Sequence, residues 1–178
     1  DTGLKMIGLN TRRGNVKSGE NGLTALTGRE KEARLAVREA ITYAHEIRAL
    51  NIHVMAGLTS GAEARKTFIS NLHYACEIAQ QYDINILIEP LNTNDIPGYF
   101  LTTTRQAIDI IDTVNCKNLK LMFDCYHVQL MEGNLTNLLT ELLPYIGHIQ
   151  FASVPNRGAP INGEIDFLDL FRTIKNLG

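Results

Sequence analysis

Apolar and polar positions along the chain follow two different periods in turn. Short apolar runs, expected for buried strands, are separated by longer segments with apolar residues three and four positions apart, as in amphipathic helices. The predicted strands are Leu4 to Asn10, Ile52 to Ala56, Ile84 to Ile88, Leu119 to Phe123 and Gly147 to Ala152. The pattern therefore predicts roughly five consecutive βα units, which is typical of an α/β fold with a parallel sheet.

Residues that commonly cap helices precede the helical segments. The expected first residues or N-caps are Thr27, Ser60, Thr103 and Asp166. In the first three cases a Glu or Gln follows three positions later, which is the spacing of a capping box. A shorter helix, Leu135 to Leu142, is expected after the fourth strand.

Two architectures compete for such a chain. An open, doubly wound sheet would be complete at 178 residues, whereas an eight-stranded barrel usually needs about 250. Another strand would be expected where the chain stops at Gly178, which favours the barrel. We therefore predict a single domain, 1–178, that forms a partial (β/α)8 TIM barrel lacking the first strands and the last strand.

Composition narrows the classes of partner. The chain is 44% hydrophobic and 20% charged, with a net charge of −2 and no basic stripe, so nucleic acid is not an expected partner. No apolar run approaches the roughly 20 residues that cross a membrane. The 3 cysteines are odd in number and lack metal-type spacing, which favours reduced thiols and a cytoplasmic protein.

Three successive predicted strands carry an oxygen-bearing side chain at or near their C-terminal ends, namely Glu89, Asp124 and Gln150. In parallel α/β folds this edge of the sheet holds the chemistry. A carboxylate at the end of a buried strand must be paired, protonated or bound to a cation. Together the three residues predict a metal site, although Glu89 alone could pair with an Arg and Gln150 alone could bond to backbone groups.

Further polar residues are expected near the same edge. His127 follows Asp124 by three positions and is a candidate for substrate binding or proton relay, or else a structural histidine. Arg157 suits bidentate contact with a substrate carboxylate, with Glu164 as its expected structural partner. His53 is a candidate at the barrel mouth, or a satisfied core histidine.

A set of short stretches in a fixed order adds a resemblance to these observations. They are His53-Val54-Met55-Ala56-Gly57, Ile88-Glu89-Pro90-Leu91-Asn92, Asp124-Cys125-Tyr126-His127, Met131-Glu132-Gly133-Asn134-Leu135, Gly147-His148-Ile149-Gln150 and Gly163-Glu164-Ile165. Over nearly the whole chain this set resembles the hydroxypyruvate isomerase family, within the wider group of xylose-isomerase-like barrels.

The resemblance implies roles for the candidate residues. Glu89, Asp124 and Gln150 would bind a divalent cation, Mg²⁺ or Mn²⁺, with Glu89 also the acid/base catalyst. The implied substrate is a small 2-oxo acid, and the implied reaction interconverts hydroxypyruvate and tartronate semialdehyde, or a related pair, through an enediolate. His127, Arg157 and His53 are the expected substrate-binding residues.

The chain also departs from the family pattern. Family members usually carry another Glu on the last barrel strand, and no such strand follows Gly178, so we predict that this chain alone is weakly active or inactive. Ser153 and Asn156 stand where the wider group often has Asp and Gly.

The alternatives to the isomerase are a ketose epimerase, a phosphodiester-cleaving repair enzyme and a catalytically inert binding fragment. An open barrel also exposes strand edges, which favours a homo-oligomer.

Overall fold

The computed structural model describes residues 3–178 and contains a five-stranded parallel sheet in the order β1-β2-β3-β4-β5. The strands are β1 (Gly8–Asn10), β2 (Asn51–His53), β3 (Asn85–Ile88), β4 (Leu119–Asp124) and β5 (Ile146–Gln150). The helices are α1 (Glu30–Glu46), α2 (Ala62–Ala79), α3 (Thr104–Val114), α4 (Cys125–Met131), α5 (Leu135–Leu142) and α6 (Phe167–Leu177). Each strand pairs with its neighbour in sequence, so the sheet is part of a TIM barrel, and the predicted α/β fold class is confirmed.

Alternate side chains of the strands serve two different purposes. Ile52, Ile86, Ile88, Leu121 and Phe123 are fully buried in the apolar core between the sheet and its helices. Their neighbours point to the inner, concave face, because successive side chains of a strand lie on opposite sides of the sheet. That inner face carries the polar strand ends.

Several element boundaries differ from the predictions. The first strand begins at Gly8 rather than Leu4. α1 starts after Arg29 and α2 after Gly61, and neither helix is capped by a side chain, so the capping roles predicted for Thr27 and Ser60 are wrong. Thr103 does cap α3 by accepting a hydrogen bond from the Gln106 N–H, as predicted.

The sequence pattern missed α4 altogether. Asp124 ends β4 and at the same time N-caps α4 by accepting a hydrogen bond from the Tyr126 N–H at 2.9 Å. The helix is too short to show an amphipathic period, since it has only 7 residues. Its importance is that it carries His127.

The loop between β1 and α1 is tied to the mouth of the barrel. Gly22 forms an isolated bridge with Ala56, and a Cβ on Gly22 would lie 2.5 Å from the Met55 carbonyl oxygen. Its φ of +116° also favours glycine.

Within residues 3–178 no helix combines the length and the apolar character that crossing a membrane requires.

Candidate metal and substrate site

Polar side chains gather at the C-terminal edge of the sheet because four of the five strands end on one and Glu89 directly follows β3. Asn10 pairs in register with His53, and Asp124 pairs with Gln150. Glu89 follows Ile88, whose register partner is Leu121 on β4. The structure therefore brings the predicted residues Glu89, Asp124 and Gln150 to the same edge.

Glu89 is a buried carboxylate with few partners. It is 7% exposed, and its one recorded polar contact within residues 3–178 is His53 Nδ1, at 3.4 Å from Oε2. Burial, followed by the nearby charge of Asp124, raises its pKa to about 8, while the charge of Arg157 acts in the opposite direction. Without a cation, this side chain is therefore largely protonated near neutral pH.

Asp124 and His127 complete a cluster with Glu89. One potential ligand atom from each of the three residues lies within 4.8 Å of the others, and all three side chains are buried. Asp124 Oδ2 is 3.7 Å from His127 Nε2. Two carboxylates so close together in a poorly solvated site repel each other, and a divalent cation between them would remove that repulsion.

Gln150 lines the same cleft as Glu89 and His127. No hydrogen bond of its side-chain amide is recorded within residues 3–178, so the backbone partners considered from the sequence are absent there. The amide oxygen is thus free to act as a neutral ligand. Carboxylate and carbonyl oxygens are the donors that Mg²⁺ and Mn²⁺ prefer, so the residues present fit such an ion.

The contacts of His127 determine which ring nitrogen carries the proton. Nδ1 accepts from the Asn92 N–H at 3.1 Å and lies 2.7 Å from the Asn92 amide nitrogen. A backbone N–H can only donate, so a neutral ring must carry its proton on Nε2. Burial is the main effect and lowers the pKa of His127, which keeps the ring neutral.

The Arg157 guanidinium lies next to the proton on His127 Nε2. Its Nη2 lies 3.1 Å from His127 Nε2, and both atoms are donors in the tautomer just described. Asp124 Oδ2 lies 3.8 Å from Nη2 and 3.7 Å from Nε2, which is ion-pair distance and too long for a hydrogen bond to either. Two donors face the same small volume, which is the arrangement that binds an oxygen anion or a carbonyl oxygen.

Arg157 is held by residues that the sequence did not single out for this role. Its guanidinium stacks on the Tyr126 ring, with 4.9 Å from Cζ to the ring centroid, and its Nη1 is 3.7 Å from Asp95 Oδ2. Tyr126 donates to the same Asp95 oxygen at 2.9 Å. The expected partnership with Glu164 is wrong, since Arg157 pairs with Asp95 and Asp124 instead. No local sequence signal links a loop Asp to an Arg so distant along the chain.

Ser153, where the wider group often has Asp, closes the turn that contains Arg157. Ser153 Oγ accepts from the Gly158 N–H at 3.1 Å, and the Ser153 N–H donates to the Gly158 carbonyl at 3.0 Å. Arg157 has a φ of 50°, in the left-handed region. A serine at 153 therefore still closes the turn that presents Arg157.

His53, at the end of β2, is buried and only 3% exposed. Burial, followed by the charges of His127 and Arg13, lowers its pKa to about 4, so the ring is neutral near pH 7. His148 and Gln150 both line the inner face of β5, with His148 one register step lower. His148 therefore lies beneath Gln150 on the inner face of the sheet.

The cleft above these residues has a volume of about 730 Å³. Besides the strand ends, it is lined by the β1–α1 loop through Arg13, Glu20 and Asn21. Glu20 forms an ion pair with Arg29 and accepts from the Asn15 N–H, which holds the loop in place. A small polar molecule would fit between this loop and the cluster.

The fold and this site together define a class, a sugar-isomerase-like barrel with an oxygen-rich centre at the C-terminal edge of its sheet. The family model described as xylose isomerase-like TIM barrel matches residues 1–178. The chain therefore belongs to the xylose isomerase-like TIM barrel family.

Curated relatives have more specific names. The chain is 44% identical over 171 residues to the hydroxypyruvate isomerase of Escherichia coli K12, covering 94% of this chain and 66% of the relative. It is 41% identical over 180 residues to the 2-oxo-tetronate isomerase of Cupriavidus necator, covering 99% of this chain and 69% of the relative. The chain spans about two thirds of the length of both relatives. These names confirm the predicted enzyme class, an isomerase, and the predicted family resemblance.

Solved structures agree on the fold. A crystal structure described as an AP endonuclease of family 2 from Brucella melitensis superposes with a TM-score of 0.96 at 36% identity, covering 98% of this chain and 69% of the other. A 3-keto-D-glucoside 4-epimerase from Escherichia coli superposes with a TM-score of 0.82 at 21% identity, covering 99% and 69%. The latter likeness extends to the fold alone.

Proposed function

We propose that the protein interconverts hydroxypyruvate and tartronate semialdehyde, or a closely related pair of 2-oxo acids, by metal-assisted proton transfer. The observation that carries this proposal is the buried cluster of Glu89, Asp124 and His127 within 4.8 Å, beside the Arg157 guanidinium. The names of the two curated isomerase relatives support the same substrate class.

In this proposal Glu89, Asp124 and the Gln150 amide oxygen hold Mg²⁺ or Mn²⁺. The ion would supply Lewis-acid stabilisation of negative charge on adjacent substrate oxygens. His127 is assigned to the substrate because its Nδ1 is already engaged by Asn92 and its Nε2 carries the proton. A protonated ring nitrogen cannot be a metal ligand.

Glu89 is the proposed acid/base catalyst. Its ionised carboxylate takes a proton from C3 of hydroxypyruvate, and the electron pair of that bond forms the enediolate. The same carboxyl group returns the proton to C2, while the hydroxyl proton passes from the C3 oxygen to the C2 oxygen. Atoms and electrons balance without an oxidant or a reductant. A base matched to its task in this way contributes about 10²–10⁴-fold to the rate.

Arg157 and His127 are the proposed contacts for the substrate anion, and His53 lies at the base of the same cleft. The two donors, Arg157 Nη2 and His127 Nε2–H, are both satisfied when one carboxylate or enolate oxygen lies beside the pair and accepts from each. Stacking on Tyr126 and the ion pair with Asp95 reduce the freedom that Arg157 would lose on binding. A 2-oxo acid would bring a carboxylate that the guanidinium can bind and that a neutral ketose lacks, which favours a 2-oxo acid over the epimerase alternative.

One alternative has a specific observation behind it, because the structure from Brucella melitensis is described as an AP endonuclease. Recognition of DNA requires a positive surface that neutralises phosphates. This chain has a net charge of −2, and its buried cluster contains a single histidine. Small-molecule isomerisation is therefore the function we propose.

The test is proton exchange at C3 of hydroxypyruvate in D₂O, followed by NMR on protein stripped of metal and then reloaded with Mn²⁺. We expect metal-dependent exchange with the wild type and a loss of at least about 10²-fold in Glu89→Gln. Glu77→Gln, at an exposed position of α2, is the matched control and should retain exchange. Equal or faster turnover of free ketoses would support the epimerase, and metal binding without any exchange would support the inert fragment. Cleavage of abasic DNA instead would overturn the proposal.

A further inference from the structure

One ring nitrogen of His53 faces a carboxylate, and the other has no hydrogen-bond partner within residues 3–178. Nδ1 is 3.4 Å from Glu89 Oε2. Nε2 is buried and has no hydrogen-bond partner among residues 3–178. A buried polar atom without a partner costs free energy, so its retention at the base of a cleft calls for a functional reason.

We propose that His53 is a positioning residue that acts through Glu89: the neutral ring donates from Nδ1 to Glu89 Oε2 and so fixes the orientation of the catalytic carboxylate. This inference rests on the proposed function and adds a role within it. His53 itself is not proposed to exchange a proton with the substrate.

The position of His53 in the sheet supports this role. His53 is in register with Leu87 on β3, and Glu89 lies two residues further along the same strand. Residues two apart on a strand share a face, so the two side chains meet diagonally on the inner face of the sheet. Both lie on or directly after regular strands rather than on loops, which makes their separation rigid.

The surroundings determine which tautomer is stable. A neutral imidazole has one N–H and one acceptor nitrogen. With the proton on Nδ1, the ring donates to Glu89 Oε2. With the proton on Nε2, a lone pair would face the carboxylate oxygen, and the buried donor would have no acceptor. Burial, the largest cause, and the positive charge of Arg13 also disfavour a second proton on the ring.

Fixing one oxygen of Glu89 has a direct consequence for proton transfer. A carboxylate that hangs free in the cleft can rotate away from the carbon it must deprotonate. A misplacement of about 1 Å can cost about 10²-fold in rate. With Oε2 held by His53, the other oxygen is left facing the cleft.

Two amide substitutions separate the two ring nitrogens. The amide of His53→Asn reaches about as far from Cα as Nδ1, so it can still donate to Glu89, whereas that of His53→Gln reaches the position of Nε2. We expect kcat to fall by about 10²-fold in His53→Gln, with KM changed far less, and to fall much less in His53→Asn. A role confined to the fold would lower stability in both variants without separating kcat from KM.

Two readouts do not depend on turnover. In wild-type protein loaded with diamagnetic Mg²⁺, which keeps Glu89 ionised, two-bond ¹H–¹⁵N correlations should place the His53 ring proton on Nδ1. Titration calorimetry with Mn²⁺ should show a weakening of at least about tenfold in His53→Gln and less in His53→Asn, since partners that orient a metal ligand change affinity by about 10–100-fold. His45→Gln, at an exposed position of α1, controls for loss of a histidine and should change neither measurement.

The outcomes distinguish this inference from the proposed function. A ring proton on Nε2, or equal effects of the Asn and Gln substitutions on kcat and on Mn²⁺ affinity, would overturn the role of His53 alone. If Glu89→Gln leaves both exchange and Mn²⁺ binding intact, the proposed function fails as well. If His53→Gln does not melt cooperatively, the tautomer in the wild type decides the question.

Discussion

Glu89 and Asp124 lie side by side in a part of the molecule that water hardly reaches, being 7% and 5% exposed. For Glu89, burial and the nearby charge of Asp124 raise the pKa, so its carboxyl group is more stable as the neutral acid than as the anion unless a cation is present. The same feature that prepares the site for a divalent ion therefore destabilises the metal-free fold once Glu89 ionises.

This reasoning predicts how stability depends on pH in metal-free protein. The pKa of Glu89 is raised from 4.5 to about 8 on folding. Its stabilising contribution is fully present below about pH 4.5 and is lost as the pH rises through about 8. Glu89→Gln carries no charge at any pH, so its stability relative to the wild type should increase by about 2–4 kcal/mol between about pH 5 and about pH 9.

Urea unfolding with EDTA present at both pH values measures this difference. Glu77→Gln is the control, because an exposed glutamate should give a difference that is nearly constant with pH. A Glu89→Gln difference that is equally constant would mean that Glu89 ionises normally in the fold.

At the scale of elements, strands, helices and caps differed in how closely they could be predicted from the sequence. The strands β3 and β4 were predicted to within a residue, because buried apolar runs that end in a charged residue are an unambiguous signal. Thr27 and Ser60 have the same capping-box spacing as Thr103, but neither caps a helix, because tertiary contacts place the helix starts elsewhere. Thr27 Oγ1 is engaged by Thr67 at 3.1 Å, and α2 begins after Gly61.

The candidate site was predictable only in part for a similar reason. Glu89, Asp124 and Gln150 were identifiable because each lies at the end of a strand or directly after it, and parallel strands end at one edge. The tautomer of His127 and the anchoring of Arg157 were not, because they depend on Asn92, Asp95 and Tyr126 meeting across loops. No period or local motif encodes such contacts.

Thr103 caps a helix and Ser60 does not, so replacing each of them should change the stability of the protein by a different amount. Thr103→Ala removes the acceptor for the Gln106 N–H and should destabilise the protein by about 1 kcal/mol. Ser60→Ala, at an exposed position that caps nothing, should change stability by less than about 0.5 kcal/mol. Thermal or urea unfolding of the two variants at one pH measures both values; a comparable loss in Ser60→Ala would contradict the assigned start of α2.

At the scale of the whole molecule, the sheet is open within residues 3–178, with β1 at one edge and β5 at the other. Apolar side chains are exposed beside both edges. Near β1 they are Leu4, Met6 and Ile7, and near β5 they include Phe151 and Phe171. We propose that this sheet is five strands of an eight-stranded barrel, as the family fold implies, and that the remaining strands cover these edges.

Exposed edges have a consequence for the 178-residue chain by itself. An apolar groove of about 410 Å³ runs beside β5 and is lined by Leu143, Ile146, Phe151, Ile174 and Leu177. Apolar surface of this kind beside an unpaired strand favours association with a second copy. We expect light scattering to give a mass above the 19.8 kDa of one chain, increasing with concentration.

Phe151→Lys should shift that mass back towards 19.8 kDa, because it places a charge in the groove where Phe151 is 38% exposed. Tyr43→Lys is the matched control, since Tyr43 is 62% exposed on α1, far along the chain from the groove, and its replacement should leave the mass unchanged. A wild-type chain that is monodisperse at the monomer mass and melts in one sharp transition would contradict the prediction. If the groove is buried against a second copy, the measured mass should depend on concentration, because association obeys mass action. A groove that stays exposed to water would leave the mass constant.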